Sequence, residues 1–203
     1  MPLQHSVGFA GDDARLLEGL KANGGGAWLA FYDRYAGYVL SVLRKVMGPD
    51  REVEDLLQEV FARALEGVHR VENPDALKAW VRSLTVFTAR STLKRRRWRK
   101  WLPLFDETDD DDGAIPYPAT QDAIEERLML KKVKALLDSL PVDDRIPLCL
   151  RLFDGLELTE IAEACDVSLA TVKRRIARGE ARFAALVEKE RDLREWVKRA
   201  RSS

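Results

Sequence analysis

Apolar residues recur every three or four positions along most of the chain, and that period predicts helices. Trp28, Phe31, Tyr32, Tyr35, Val39, Val42 and Val46 form one stripe, which Gly48-Pro49 ends. Val53, Leu56, Leu57, Val60, Phe61, Ala64 and Leu65 form a second, and Asn73-Pro74 marks the turn after it. Leu77, Trp80, Val81, Leu84 and Phe87 form a third, running into a basic block. Leu128, Val133, Leu136, Leu137 and Leu140 predict a helix up to Pro141. Leu158, Ile161 and Ala162 predict a short helix, and Val172, Ile176 and Phe183 a longer one. Leu193, Trp196 and Val197 continue the pattern towards the C-terminus. Sustained strand alternation is absent, so the expected class is all-α, with helices packed through their apolar stripes.

Charge changes this picture only when its order is read. The chain has 203 residues and carries 34 basic and 34 acidic ones, a formal net charge of +0. The charges are segregated. Asp50 to Glu59 is acidic, Lys94 to Lys100 strongly basic, Asp106 to Asp112 acidic again, and Lys173 to Arg182 basic. Pro103, Gly113, Pro116 and Pro118 bracket the second acidic run, which predicts a linker over 103–120 between two small helical domains. The expected division is a 1–24 N-terminal extension, a 25–102 helical bundle, the linker, a 121–190 domain and a 191–203 helical extension.

Composition excludes several classes. Charge-free runs such as Ala22 to Tyr32 are far shorter than the roughly 20 residues of a membrane helix, and no secretory signal is expected. Cys149, Cys165, His5 and His69 make neither a disulfide framework nor a zinc ligand set. The expectations are a reducing cytoplasm, no metal, no cofactor, and no catalytic residues.

The sharpest local signal lies between Leu158 and Phe183. A short helix is followed by Asp166-Val167, where Asp tolerates the left-handed conformation of a tight turn. Ser168 is a good N-cap for the next helix. That helix turns Val172, Ile176 and Phe183 inward and carries Lys173, Arg174, Arg175 and Arg178 on its other faces. These are the parts of a helix-turn-helix, whose second helix can enter a major groove. The same pattern is also compatible with a plain helical hairpin that has a solvated basic face.

At these residues the chain resembles a known family. Gly155-Leu156, Glu160-Ile161-Ala162, Val167 and Thr171-Val172-Lys173 resemble the DNA-binding end of sigma factors of bacterial RNA polymerase, above all the small extracytoplasmic-function group. Glu54-Asp55-Leu56-Leu57-Gln58-Glu59-Val60-Phe61 is similar to that family's polymerase-binding helix, and Tyr32, Arg34 and Tyr35 to the helix before it. Trp80-Val81 and Lys94 to Arg97 resemble the promoter-reading helix and its basic end. The resemblance covers roughly Gly25 to Val187.

It implies that Asp55, Gln58, Glu59 and Phe61 meet the clamp of core RNA polymerase, with Phe61 alternatively a core residue. It implies that Asn73, Trp80, Lys94, Arg95, Arg96 and Arg97 meet the −10 element, with Asn73 alternatively capping the turn before Pro74. Ser168, Thr171, Lys173, Arg174, Arg175 and Arg178 would meet the −35 element, with Arg178 on a phosphate. Trp98 and Trp101 lie among arginines and are candidates for stacking on bases.

The implied function is an alternative sigma factor, with core polymerase and promoter DNA as partners. An anti-sigma factor is a further candidate partner. A stand-alone helix-turn-helix regulator would account for Leu158 to Phe183 but not for the first motif. The chain also departs from the family pattern. Phe87 and Ser91 stand where Asn and Asp are usual, Asp166 replaces the turn glycine, and Ala170 replaces a glycine before Thr171. Pro147 predicts a kink or a late start in the helix from about Val142 to Phe153.

Overall fold

The computed structural model of the chain describes residues 12–48, 52–99 and 121–201. Among the described residues the regular structure is helical: α1 (Asp13–Lys21), α2 (Gly25–Met47), α3 (Glu52–Gly67), α4 (Leu77–Arg99), α5 (Gln121–Ser139), α6 (Val142–Phe153), α7 (Leu158–Cys165), α8 (Leu169–Val187) and α9 (Arg191–Arg201). Single 3-10 turns at Val68–Arg70 and Pro74–Ala76 link α3 to α4. The 103–120 linker lies outside the described residues.

The first bundle packs α2, α3 and α4 around Phe31, Val39, Val42, Leu56, Val60, Leu77 and Val81. α1 joins it, because Leu16, Leu17 and Leu20 are buried on the same core. The stretch read as an N-terminal extension therefore contains a core helix. Its signals are short: Asp12 accepts the Arg15 backbone N–H as an N-cap at 3.0 Å, and the three leucines share a face.

The predicted stripes are wider than the faces that become buried. Phe87, Leu65, Tyr32 and Leu128 are exposed, although each belongs to a stripe. On α4 the buried positions include Thr85, Thr88 and Thr92, which period alone does not mark as core. Thr85 is tolerated there because its hydroxyl donates to the Val81 carbonyl at 2.8 Å, so no partner from another element is needed.

The second bundle is α6, α7 and α8, with Ile146, Leu150, Ile161, Val172 and Ile176 inside. α6 begins at Val142 and continues through Pro147, so the start is not delayed. Gly179 lets α8 lie close against α6: a Cβ there would stand 3.2 Å from the Asp144 carbonyl oxygen and 3.4 Å from Leu148. Asp166 adopts φ +52°, ψ +55°, and the Ser168 hydroxyl accepts the Thr171 N–H at 3.3 Å, so the turn forms as its residue types require.

The two bundles touch. α4 packs along α7 and the side of α6, and α2 packs on α6. Arg82, almost fully buried, donates to Glu160 at 2.9 Å, Lys45 donates to Asp154 at 2.5 Å, and Arg145 donates to the Val46 carbonyl.

Candidate functional site

Three surfaces carry the residues singled out above. The first is the outer face of α3. Burying Val53, Leu56, Leu57 and Val60 turns Asp55 and Gln58 fully outward and leaves Glu59 half-exposed. Glu59 is held by Arg63, one turn on, through bonds of 3.1 and 2.7 Å. Phe61 has its ring 5.4 Å from that of Phe31 and 4.8 Å from that of Tyr32, centroid to centroid, and is half-buried. It is a residue of the core edge.

The second surface runs from the α3–α4 turn along α4. Asn73 is exposed, and its side-chain oxygen accepts the Asp75 N–H at 3.0 Å, capping the turn while its amide stays outward. Trp80 is half-buried against Gly67, where an added Cβ would meet the indole at 3.3 Å. Lys94, Arg95 and Arg97 are exposed, whereas Arg96 reaches back to Glu52 at 2.7 Å. Trp98 projects into solvent, and Trp101 lies outside the described residues.

The third surface is the start of α8. Ser168 acts as the N-cap, and Thr171 lies one turn on, its hydroxyl 2.9 Å from that of Ser168. Lys173 and Arg174 are exposed. Arg175, about 100° round the helix, turns inward beside Asp143 at 3.9 Å. Arg178 and Arg182 both bond to Asp144, which is fully buried: Arg178 engages both carboxylate oxygens, one at 2.8 Å, and Arg182 donates at 2.9 Å. The side chain expected to hold a phosphate is thus engaged within its own domain.

Asp143 joins the second and third surfaces. Arg90 at 2.6 Å and Lys94 at 3.4 Å approach it from α4, and Arg175 from α8. Partial burial pushes the Asp143 carboxyl up, but Arg90, Lys94 and Arg175 together hold it below the usual carboxylate range. Cys165 lines the same small recess, and burial pushes its thiol up to about 11, so it is no thiolate at neutral pH. Among the described residues no cluster of His, Cys, Asp and Glu could hold a metal ion, and no helix is long and apolar enough to cross a membrane.

The sequence does not mark Asp143 and Asp144 as partner residues, and Glu160 stands in it only as part of the family motif, not as the partner of Arg82. The capping spacing of Glu157 and Glu160 was a visible signal for that helix start, since Glu160 accepts the Glu157 N–H at 3.0 Å. Nothing local marks the other two.

Residues 31–99 match sigma-70 region 2, and residues 130–183 match sigma-70 region 4. The extracytoplasmic-function (ECF) sigma factor SigE of Mycolicibacterium smegmatis is 27% identical over 75% of this chain and 58% of its own length, so the match spans less than two thirds of that relative. The ECF sigma-E factor of Escherichia coli K12 is 29% identical over 71% of this chain and 78% of its own length. The solved structure of CnrH with the cytosolic domain of CnrY shares the fold, at a TM-score of 0.60 and 21% identity, covering 88% of this chain and 98% of that one. That of RpoE with the anti-sigma factor NepR from Bartonella quintana shares it at 0.57 and 20%, covering 79% and 96%.

Two DNA- and polymerase-binding regions in this order define a bacterial transcription-initiation factor. The chain belongs to the sigma-70 family, as an alternative sigma factor of the extracytoplasmic-function group, whose members direct RNA polymerase to promoters and act as non-catalytic regulators.

Proposed function

We propose that this sigma factor docks on the clamp of core polymerase through Asp55, Gln58 and the solvent side of Glu59. It meets the −10 element through the 71–77 turn and the exposed side of α4, and the −35 element through the start of α8. The functional units are then 25–102 and 121–190, with α1 bracing the first. The observation that carries this is the arrangement of charge: an outward acidic face on α3, and outward cations at the end of α4 and the start of α8. The protein itself performs no covalent chemistry and works in the cytoplasm, where polymerase and template are. An anti-sigma protein is a further proposed partner, since NepR is one and is held by a chain of the same fold.

Arg90, Lys94 and Arg175 face Asp143 in the free chain, so promoter phosphates must displace that carboxylate to reach them. Run-off transcription with core polymerase on a randomised promoter library tests the whole proposal. Enrichment of templates sharing two spaced elements is the expected result. Specific DNA binding without affinity for core polymerase would instead indicate a stand-alone helix-turn-helix regulator.

Arg174 and Arg175 separate on exposure. Arg174 is free to approach base edges, whereas Arg175 is turned onto α6. Arg174→Ala is expected to relax preference at one −35 base pair, by about 1–3 kcal/mol for a bidentate guanine contact. Arg175→Ala should leave the selected sequence unchanged. Promoter selection with each variant measures this, and the reverse pattern would move the recognition face round the helix.

A further inference from the structure

The two bundles meet through charge, and the charges are sorted by side. The first bundle supplies cations: Lys45 from α2, and Arg82, Arg90 and Lys94 from α4. The second supplies acids: Asp143 of α6, Asp154 just after that helix, and Glu160 of α7. Arg82 pairs with Glu160 at 2.9 Å and Lys45 with Asp154 at 2.5 Å, while Arg90 and Lys94 reach Asp143 at 2.6 and 3.4 Å. Arg145 crosses the other way, to the Val46 carbonyl at the end of α2. Satisfaction at this junction is incomplete. Arg82 Nε, Arg90 Nε and Asp154 Oδ2 are buried there without a hydrogen-bond partner. A buried polar atom left unpaired costs stability, and water would satisfy each of these three once the bundles parted. The junction therefore separates more readily than the apolar core of either bundle.

Geometry requires that it separate. Lys94 of α4 and Arg175 of α8 reach the same carboxylate, that of Asp143. At that point the two helices proposed to meet DNA lie within two side-chain lengths of each other. The −10 and −35 elements are about 25 base pairs apart, roughly 85 Å along a straight duplex at about 3.4 Å per pair. The joined bundles cannot reach both. The cations of the junction are also suited to DNA, because a guanidinium binds a carboxylate or a phosphate through the same donors.

We infer that the junction is an electrostatic latch in which Asp143, Asp154 and Glu160 take the place of DNA phosphates on the first bundle, so that closure of the bundles and binding of DNA compete for Arg82, Arg90 and Lys94. The inference rests on α4 facing DNA as proposed above. It implies linkage in both directions: a ligand that takes these cations parts the bundles, and parting the bundles raises the affinity of α4 for DNA. Because Asp143 also faces Arg175, releasing it frees cations on both helices.

The test uses the full chain with two readouts. Ala62 on α3 and Ala181 on α8 are exposed, so Ala62→Cys and Ala181→Cys carry a donor and an acceptor dye. Cys149 and Cys165 stay unlabelled, since burial pushes both thiols up to about 11. Energy transfer reads the parting of the bundles. Anisotropy of an end-labelled 40-base-pair duplex of randomised sequence reads DNA binding. The latch variant is Asp143→Asn, Asp154→Asn, Glu160→Gln, in which Gln keeps an acceptor for the capping box at Glu157. The control Glu18→Gln, Glu66→Gln, Glu163→Gln removes the same charge from exposed acids away from these pairs. The latch variant should show lower energy transfer than the control before DNA is added, and bind the duplex roughly ten-fold tighter, within the range of about 5- to 150-fold typical of coupled sites. Circular dichroism checks that both keep their helices. Unchanged energy transfer, with or without tighter binding, would overturn the latch and leave α4 as a DNA-facing helix. Lower energy transfer with no gain in binding over the control would overturn the reading of α4 itself, and the competition with it.

Discussion

Asp55→Lys is expected to lower affinity for core polymerase by about 2–5 kcal/mol, at least roughly 30-fold, with little loss of stability. The reason is geometric. Asp55 is exposed on α3 while its neighbours Leu56 and Leu57 are buried, so its charge contributes to a surface and not to the fold. A complementary basic surface that desolvates this carboxylate in the complex would meet a like charge after the substitution. The folded chain loses only the favourable interaction of an acid near a helix N-terminus, about 0.3–1 kcal/mol. Glu59→Lys is a less clean probe because it also breaks the pair with Arg63, 2.7 Å away. Titration of core polymerase against both proteins, with circular dichroism alongside, measures the effect. Equal affinities with equal helicity would remove α3 from the polymerase interface.

Asp144→Ala is expected to destabilise the second bundle by about 2–3 kcal/mol, the range of a lost charge-assisted hydrogen bond at a buried site. Asp144 is fully buried near the start of α6, and Arg178 and Arg182 bring two guanidinium groups to it from the middle of α8. Removing the carboxylate leaves α8 attached to α6 by apolar contacts, the close approach at Gly179 and the longer Arg175–Asp143 pair at 3.9 Å. Thermal or urea unfolding reads the loss, and weaker binding at the −35 element should follow from it. Arg178→Ala then has a diagnostic outcome. As a phosphate contact, Arg178 would weaken binding to every sequence equally and leave unfolding unchanged. As the partner of Asp144, it would lower the unfolding midpoint as well. The geometry predicts the second.

Much of the helix-turn-helix is legible in the sequence because its determinants are local. Asp166 supplies the left-handed residue, Ser168 caps the next helix, and Val172, Ile176 and Phe183 repeat at the helical period. The α3 string was legible for the same reason, since alternation within two turns determines which residues face out. α1 was overlooked because nine residues carry little periodicity, and its three leucines declare themselves only against the bundle they cover.

By itself, then, the sequence determined the helical class, the order of the two motif clusters, and the Asp166 turn with its Ser168 cap, the last two depending on residues within a few positions of each other. Tertiary structure alone decided that Phe87 is exposed while Thr85, Thr88 and Thr92 are buried, that Arg174 faces out while Arg175 faces Asp143, and that Arg178 is paired within its own domain. The helical period states which side chains share a face but not which face another element will cover. A partner 34 residues away, as Asp144 is from Arg178, is set by packing between helices, which no local spacing encodes.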